Sequence, residues 1–224
     1  EKPFFVIGSP PCTGYCALNI QWNYPKMDPL EVRRRRAEAD VLLHFAVEIY
    51  EMQIRAGRHF IHEHPLTATS WKDQRVARLL ERRGVETVVA DQCQFGLKTK
   101  TDGGGKAPAK KPTRFMTSSA LVAKELGRRC PGRHRHQPLL SGRAADAAIY
   151  PPNLCKAMLR GMEAQRVREG RAPRALQDLL EKGLGAVYLP EDSEDEEEES
   201  RKTLGSLEEV HQVFLQQGAW EERL

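Results

Sequence analysis

The chain has 224 residues, 40% hydrophobic and 29% charged, with a formal net charge of +4. That length suits one domain of ordinary size with additional segments. No apolar run reaches about 18 residues and no basic stretch leads into an apolar one at the start, so neither a membrane span nor a secretory leader is expected. The chain opens on Glu1-Lys2 without a methionine, as the interior of a longer protein would. The five cysteines are odd in number and irregularly spaced, which points to a reducing compartment, nuclear or cytoplasmic.

The charge is divided. From Glu191 onward twelve acidic and three basic residues give −9, leaving 32 basic and 19 acidic residues, or +13, in the first 190. A basic body of this kind suits a polyanionic partner, nucleic acid first.

Residues 4–7, Phe-Phe-Val-Ile, read as a short buried strand, stopped by Gly8-Ser9-Pro10-Pro11. A loop follows to Pro29. Residues 30–56 read as one long helix in which Val41, Leu42, Phe45, Ile49 and Met52 fall near helical spacing. Arg33, Arg34, Arg35 and Arg36 crowd its first turns against the macrodipole, which leaves them either solvated or facing phosphate. Residues 58–63 form a second strand, 71–83 a second helix and 85–90 a third strand. This alternation predicts an α/β fold, a partial doubly wound parallel sheet with right-handed crossovers. Residues 97–111 are rich in Lys, Gly and Pro and read as a mobile surface loop. A further strand at 113–119 and helices at 120–129, 154–168 and 173–182 follow. The acidic run 192–199 reads as disordered, and a short helix at 204–217 ends the chain. The expected segments are a main α/β part over 1–165, a helical extension over 166–190, an acidic linker over 191–203 and a short helix within 204–224.

Three groups of residues carry chemistry. The first is Gly8-Ser9-Pro10-Pro11-Cys12: a strand ending in a stiff turn presents a thiol at the carboxyl edge of a sheet, where open α/β folds bind ligands. The second is His62-Glu63-His64-Pro65. A carboxylate at the end of the neighbouring strand would stand beside Cys12 and could hold a raised pKa, while His62 and His64 would share the opposite face. The third, Cys130-x-x-x-His134-x-His136, makes a four-ligand zinc set on paper with Cys155. Its spacing fits no common finger, and the preferred reading is a basic loop in which Arg128 and Arg129 meet phosphate or solvent, with no metal.

The order strand-Gly-Ser-Pro-Pro-Cys, helix, strand-Glu-x-Pro, then Cys93-Gln94-Phe95-Gly96 and Lys110-Lys111-Pro112-Thr113, resembles the cytosine-5 DNA methyltransferase family. The resemblance implies that Cys12 attacks C6 of a flipped-out cytosine and that Glu63 contacts N3 and the exocyclic amine. It implies that Ser9, Pro10, Pro11, Lys111 and Thr113 shape the substrate pocket, and that residues 145–162 resemble the family's closing helix. The implied fold is a methyltransferase-like (Rossmann-like) sheet that lacks its first strands, with residues 1–165 as its catalytic part. The implied cofactor is S-adenosylmethionine and the implied partner DNA. The acidic, glycine-rich strand end that holds this cofactor is not found in the sequence, and Gly103-Gly104-Gly105 lies in a Lys-rich loop. The expectation is therefore a methyltransferase-like domain that is incomplete or inactive by itself, similar to methylase-like segments of retroelement-type polyproteins. The alternative is a non-catalytic nucleic-acid-binding module of a larger polyprotein.

Overall fold

The computed structural model describes residues 2–140 and 142–171. The helices expected at 173–182 and 204–217, the acidic run and the segment boundaries beyond 171 lie outside the described residues.

The chain enters on β1 (Phe5–Gly8) and, after three short helical turns where a loop was expected, forms α1 (Pro29–Arg55). Asp28 caps α1 by accepting from the Leu30 amide at 2.6 Å, and Pro29 at the first position needs no donor partner. Then follow β2 (His59–Pro65), α2 (Gln74–Leu80) and β3 (Glu86–Asp91). The helix expected from Trp71 is divided: Trp71 sits in a separate turn, Thr69–Lys72, and Asp73 caps α2 through the Arg75 and Val76 amides.

Residues 97–111 are more ordered than their composition implies. They form a hairpin of β4 (Lys98–Lys100) and β5 (Lys106–Pro108), with Thr99 buried. The hairpin delivers the chain back to the sheet as β6 (Pro112–Thr117). The sheet order is β1-β2-β6-β3. β1 and β2 are parallel, but β6 is antiparallel to both β2 and β3, so the wholly parallel sheet expected from the sequence is corrected to a mixed one. The cause lies in the connection. Parallel neighbours need a crossover, usually helical, and between β3 and β6 the chain makes only a short turn and the hairpin.

Helices cover both faces. Leu43, Val47 and Tyr50 of α1 and Val76 and Leu79 of α2 pack with Phe60 and Met116 on one. On the other, α3 (Ala120–Leu126) and α5 (Pro152–Arg168) pack Val122, Leu126 and Leu154 against Ile61, Ala90 and Phe115. Gly161 lets α5 approach α3, since a Cβ there would lie 2.6 Å from the Val122 Cα. A single turn, α4 (Arg143–Asp146), precedes α5.

The buried stripe of α1 is Ala39, Leu43, Val47 and Tyr50, whereas Val41, Leu42, Phe45 and Met52 are exposed. Among the described residues no helix is long and apolar enough to cross a membrane.

Candidate active site

The turn after β1 is built by its neighbours. Gly8 passes directly over Tyr50 of α1, and a Cβ there would stand 1.8 Å from the Tyr50 hydroxyl oxygen. Two residues on, the Pro10 carbonyl accepts a hydrogen bond of 2.8 Å from Nε2 of His64. A carbonyl can only accept, so His64 carries its proton on Nε2, and Nδ1 accepts from the Ser70 hydroxyl at 2.6 Å. Burial lowers the His64 pKa below the usual histidine range, although the Pro10 carbonyl opposes this. His64 is thus a neutral strut that fixes the Ser9-Pro10-Pro11 turn. Beyond Cys12, the Thr13 carbonyl accepts from Tyr24 Oη at 2.7 Å and Asn19 Nδ2 at 2.9 Å, which ties down the other side.

β2 supplies the carboxylate. Strand alternation puts His62 and His64 on the α1 side, as the sequence implies, with His62 bonded to the Tyr50 hydroxyl at 3.1 Å. Glu63 therefore faces the α3–α5 side, opposite Phe115 of β6 in register. Gly8 pairs with His62, so the residues following β1 come level with Glu63.

The sheet edge brings Cys12 and Glu63 into one electrostatic cluster with Lys111, Tyr150 and Ser9. Burial is the main cause that pushes the Cys12 thiol up, helped by Cys16 and Glu63, while the Lys111 ammonium draws it down. Burial also raises Glu63, against a hydrogen bond from Tyr150 and the charge of Lys111. Lys111 itself is lowered by burial and supported by Glu63 and Cys12. The Tyr150 hydroxyl lies 2.8 Å from Ser9 Oγ, either of which can donate, and burial, then the neighbouring Glu63 charge, raises the Tyr150 pKa. Lys111 Nζ donates to the Ala147 carbonyl at 2.6 Å and lies 5.6 Å from the centroid of the Tyr150 ring. The Lys111 backbone adopts φ 35°, a sparsely populated conformation for a residue with a side chain. Thr113 Oγ1 donates to the Lys111 carbonyl at 3.1 Å and accepts from Gln92 Nε2 at 2.9 Å. Thr113 and Pro10 thus act on the site through the backbone they hold, and Pro11 precedes the single helical turn that starts at Cys12.

Tyr150 is the member of this cluster that sequence reasoning did not single out. Its signal was only the Ile149-Tyr150-Pro151 lead into a helix, with nothing to place it opposite Ser9. Cys93, quoted only within the Cys93-Gln94-Phe95-Gly96 motif, was not grouped with Cys130, His134 and His136. Cys130, His134 and His136 converge with Cys93, whereas Cys155 is exposed on α5.

The arginines are largely engaged elsewhere. Arg34 and Arg35 both bind Glu31, and Arg34 also pairs with Glu38. The hydrogen bonds from Arg34 and Arg35 pull Glu31 down to about 2. Arg128 pairs with Glu125 and covers the Phe95 ring, and Arg129 pairs with Asp91. Arg33 is exposed, and Arg36 lines a polar cleft of about 300 Å³ with Tyr15, Asp40, Lys72 and Asp73. None of these arginines joins the Cys12 cluster.

No family model, no curated protein and no solved structure matches this chain.

The cofactor implied by the resemblance does not fit the residues present. Gly103 and Gly104 stand in the β4–β5 hairpin, where a Cβ would meet no atom within 4 Å, so they form no close cradle for a ligand. Among the described residues β1, β2 and β3 end on Gly8, Pro65 and Asp91; the one acidic end, Asp91, is buried, pairs with Arg129 and accepts from the Cys130 amide, and the turn after it, Gln92–Phe95, contains no glycine. The chemistry below uses this chain's own residues alone.

Proposed function

We propose that this chain carries the nucleophile and the acid for reversible thiol addition to the C6 carbon of a cytosine ring in nucleic acid, the covalent half of cytosine-5 methyltransferase chemistry. The observation that carries this reading is the joint placement of Cys12, Glu63, Lys111 and Tyr150 at one sheet edge. A pyrimidine ring resists attack until the charge pushed into it is neutralised, so a nucleophile needs an acid on the same side of the pocket. Glu63 is suited to that task because burial lets it hold a proton at a pH where an exposed carboxylate has lost it.

The step balances within these residues. The Cys12 sulfur bonds to C6 and the ring double bond between C5 and C6 opens. The electron pair moves through the ring, and N3 takes the proton of Glu63. The thiol proton restores Glu63, so the net change is addition of S–H across the ring. Lys111 stabilises the thiolate as it forms, and the Ser9–Tyr150 chain holds the Glu63 carboxyl in place. A cytosine in a duplex must leave its stack to meet Cys12. The four engaged arginines make a purely electrostatic nucleic-acid-binding module the weaker reading.

The experiment is covalent capture of the full chain with an oligonucleotide carrying 5-azacytosine, whose ring accepts thiols at C6 readily. A Cys12-linked adduct that Cys12→Ser abolishes supports the reading. Capture at Cys16 or Cys155, or an unchanged yield in Cys12→Ser, refutes it.

A further inference from the structure

We infer that Cys93, Cys130, His134 and His136 form a structural zinc site. Their ligand atoms, two sulfurs and two imidazole nitrogens, all lie within 4.8 Å of one another. His134 Nε2 is 3.6 Å and His136 Nε2 3.4 Å from the Cys130 sulfur, and His136 Nε2 is 3.3 Å from the Cys93 sulfur. Zinc binds cysteine sulfur at about 2.3 Å and histidine nitrogen at about 2.0–2.1 Å, which in a tetrahedron gives S···N edges of about 3.5 Å. The three observed separations scatter around that edge.

Hydrogen bonding between these groups does not account for the arrangement. His136 Nε2 lies almost equally far from two sulfurs, but a ring nitrogen has one in-plane direction in which to give or accept a proton. A cation among the ligands satisfies all four at once. Two thiolates would neutralise a divalent ion, which matters beside Arg129, Arg133, Arg135 and Lys110. The Gly132 amide donates to the Cys130 sulfur at 3.4 Å, the support a thiolate ligand receives from its outer shell. Two sulfurs and two imidazoles in tetrahedral array select zinc over the oxygen-seeking cations. Four protein ligands leave no open position, so the site is structural rather than catalytic.

Its surroundings are fixed from both sides. Cys93 lies in the turn Gln92–Phe95 that follows β3, and the other three ligands lie in the segment after α3. That segment is registered to β3 where the Asp91 amide donates to the Arg128 carbonyl at 2.9 Å and the Cys130 amide to Asp91 Oδ2 at 2.9 Å. The Gln137 amide donates to the Pro108 carbonyl at 2.8 Å and closes the far end. In the turn with Cys93, the Gln92 amide donates to the Lys110 carbonyl at 2.7 Å, and its side chain reaches Thr113. Zinc therefore pins the backbone that presents Lys111.

The test uses the full chain purified from zinc-containing medium. Elemental analysis should find about one zinc ion per chain, and cobalt exchange should give the ligand-field bands of a tetrahedral, thiolate-bound ion. Cys93→Ser and His136→Ala should lose the metal, and Cys155→Ser should keep it. Thiol alkylation read by mass spectrometry covers the case in which a variant fails to fold. In the wild-type chain a chelator should expose Cys93 and Cys130 and leave the alkylation of Cys155 unchanged. Metal content near zero after equilibration with equimolar zinc overturns the assignment. So does full zinc retention in Cys93→Ser, or a Cys93 alkylation rate indifferent to chelator.

Discussion

His62 gives the fold a pH dependence whose size can be worked out. The ring is fully buried between Tyr50, His64 and Trp71, bonded to Tyr50 through Nδ1, with no partner for Nε2. Burial, and then the neighbouring His64, lowers its pKa from 6.5 to about 3. Between those values the unfolded chain holds a proton that the folded chain refuses. Stability is complete above pH about 6.5 and falls by up to about 1.4 kcal/mol per unit as the pH drops toward the folded value. Going from about pH 8 to about pH 5 should cost about 2 kcal/mol through His62 alone. The assay is urea unfolding of the wild-type chain and of His62→Leu at both pH values. The variant removes the titrating group and leaves the Tyr50 hydroxyl unpaired, so its stability at the higher pH is lower. Its loss on acidification should be smaller than the wild type's by about 2 kcal/mol. Equal losses in the two proteins would refute the reasoning, because the proton would then not be excluded by the fold at this position.

Other outcomes follow from the same contacts. Gly8→Ala drives a methyl group into the Tyr50 hydroxyl and should destabilise the chain by about 1–3 kcal/mol; Tyr50→Phe in the same background should recover part of that loss in a denaturation series. Lys111→Met removes the cation that draws the Cys12 thiol down, so the pH profile of Cys12 alkylation should shift to higher pH; a shift the other way would contradict the role given to Lys111. Glu31→Gln releases Arg34 and Arg35 from their shared partner and should strengthen nucleic-acid binding at low salt, with a steeper salt dependence measured by titration.

What the sequence revealed, and what it hid, follows from how local each signal is. The strands at Phe5–Gly8, His59–Pro65 and Glu86–Asp91 were visible as β-branched or aromatic runs between turn residues, and α1 as one long helical stretch. The inward face of α1 was not, because Val41, Phe45 and Met52 keep helical spacing as well as Leu43, Val47 and Tyr50 do. Only the partner across the interface decides between them, and Phe60 and Met116 select the second set. The direction of β6 was hidden in a segment whose Lys, Gly and Pro content reads as loop, although Gly104 at φ 82° in its turn lets it close as a hairpin. The proximity of Cys12 and Glu63 was legible because each follows from its own strand. Tyr150 and Cys93 depend on contacts between distant segments, across the sheet edge to Ser9 and across the end of β3 to Cys130, and no local spacing encodes them.

The central claim is that Cys12 adds to a cytosine ring with Glu63 as its acid, and hydrogen exchange at C5 measures this without any methyl donor. Addition at C6 makes C5 basic, so in deuterated water it takes a deuteron, loses its original proton, and releases the thiol with the base otherwise unchanged. With a cytosine-containing oligonucleotide, the full chain should catalyse this exchange. Cys12→Ser should abolish it, and Glu63→Gln should slow it by about 10²-fold or more. Exchange at the uncatalysed rate in the zinc-loaded wild-type chain, or exchange that survives in Cys12→Ser, would contradict the account.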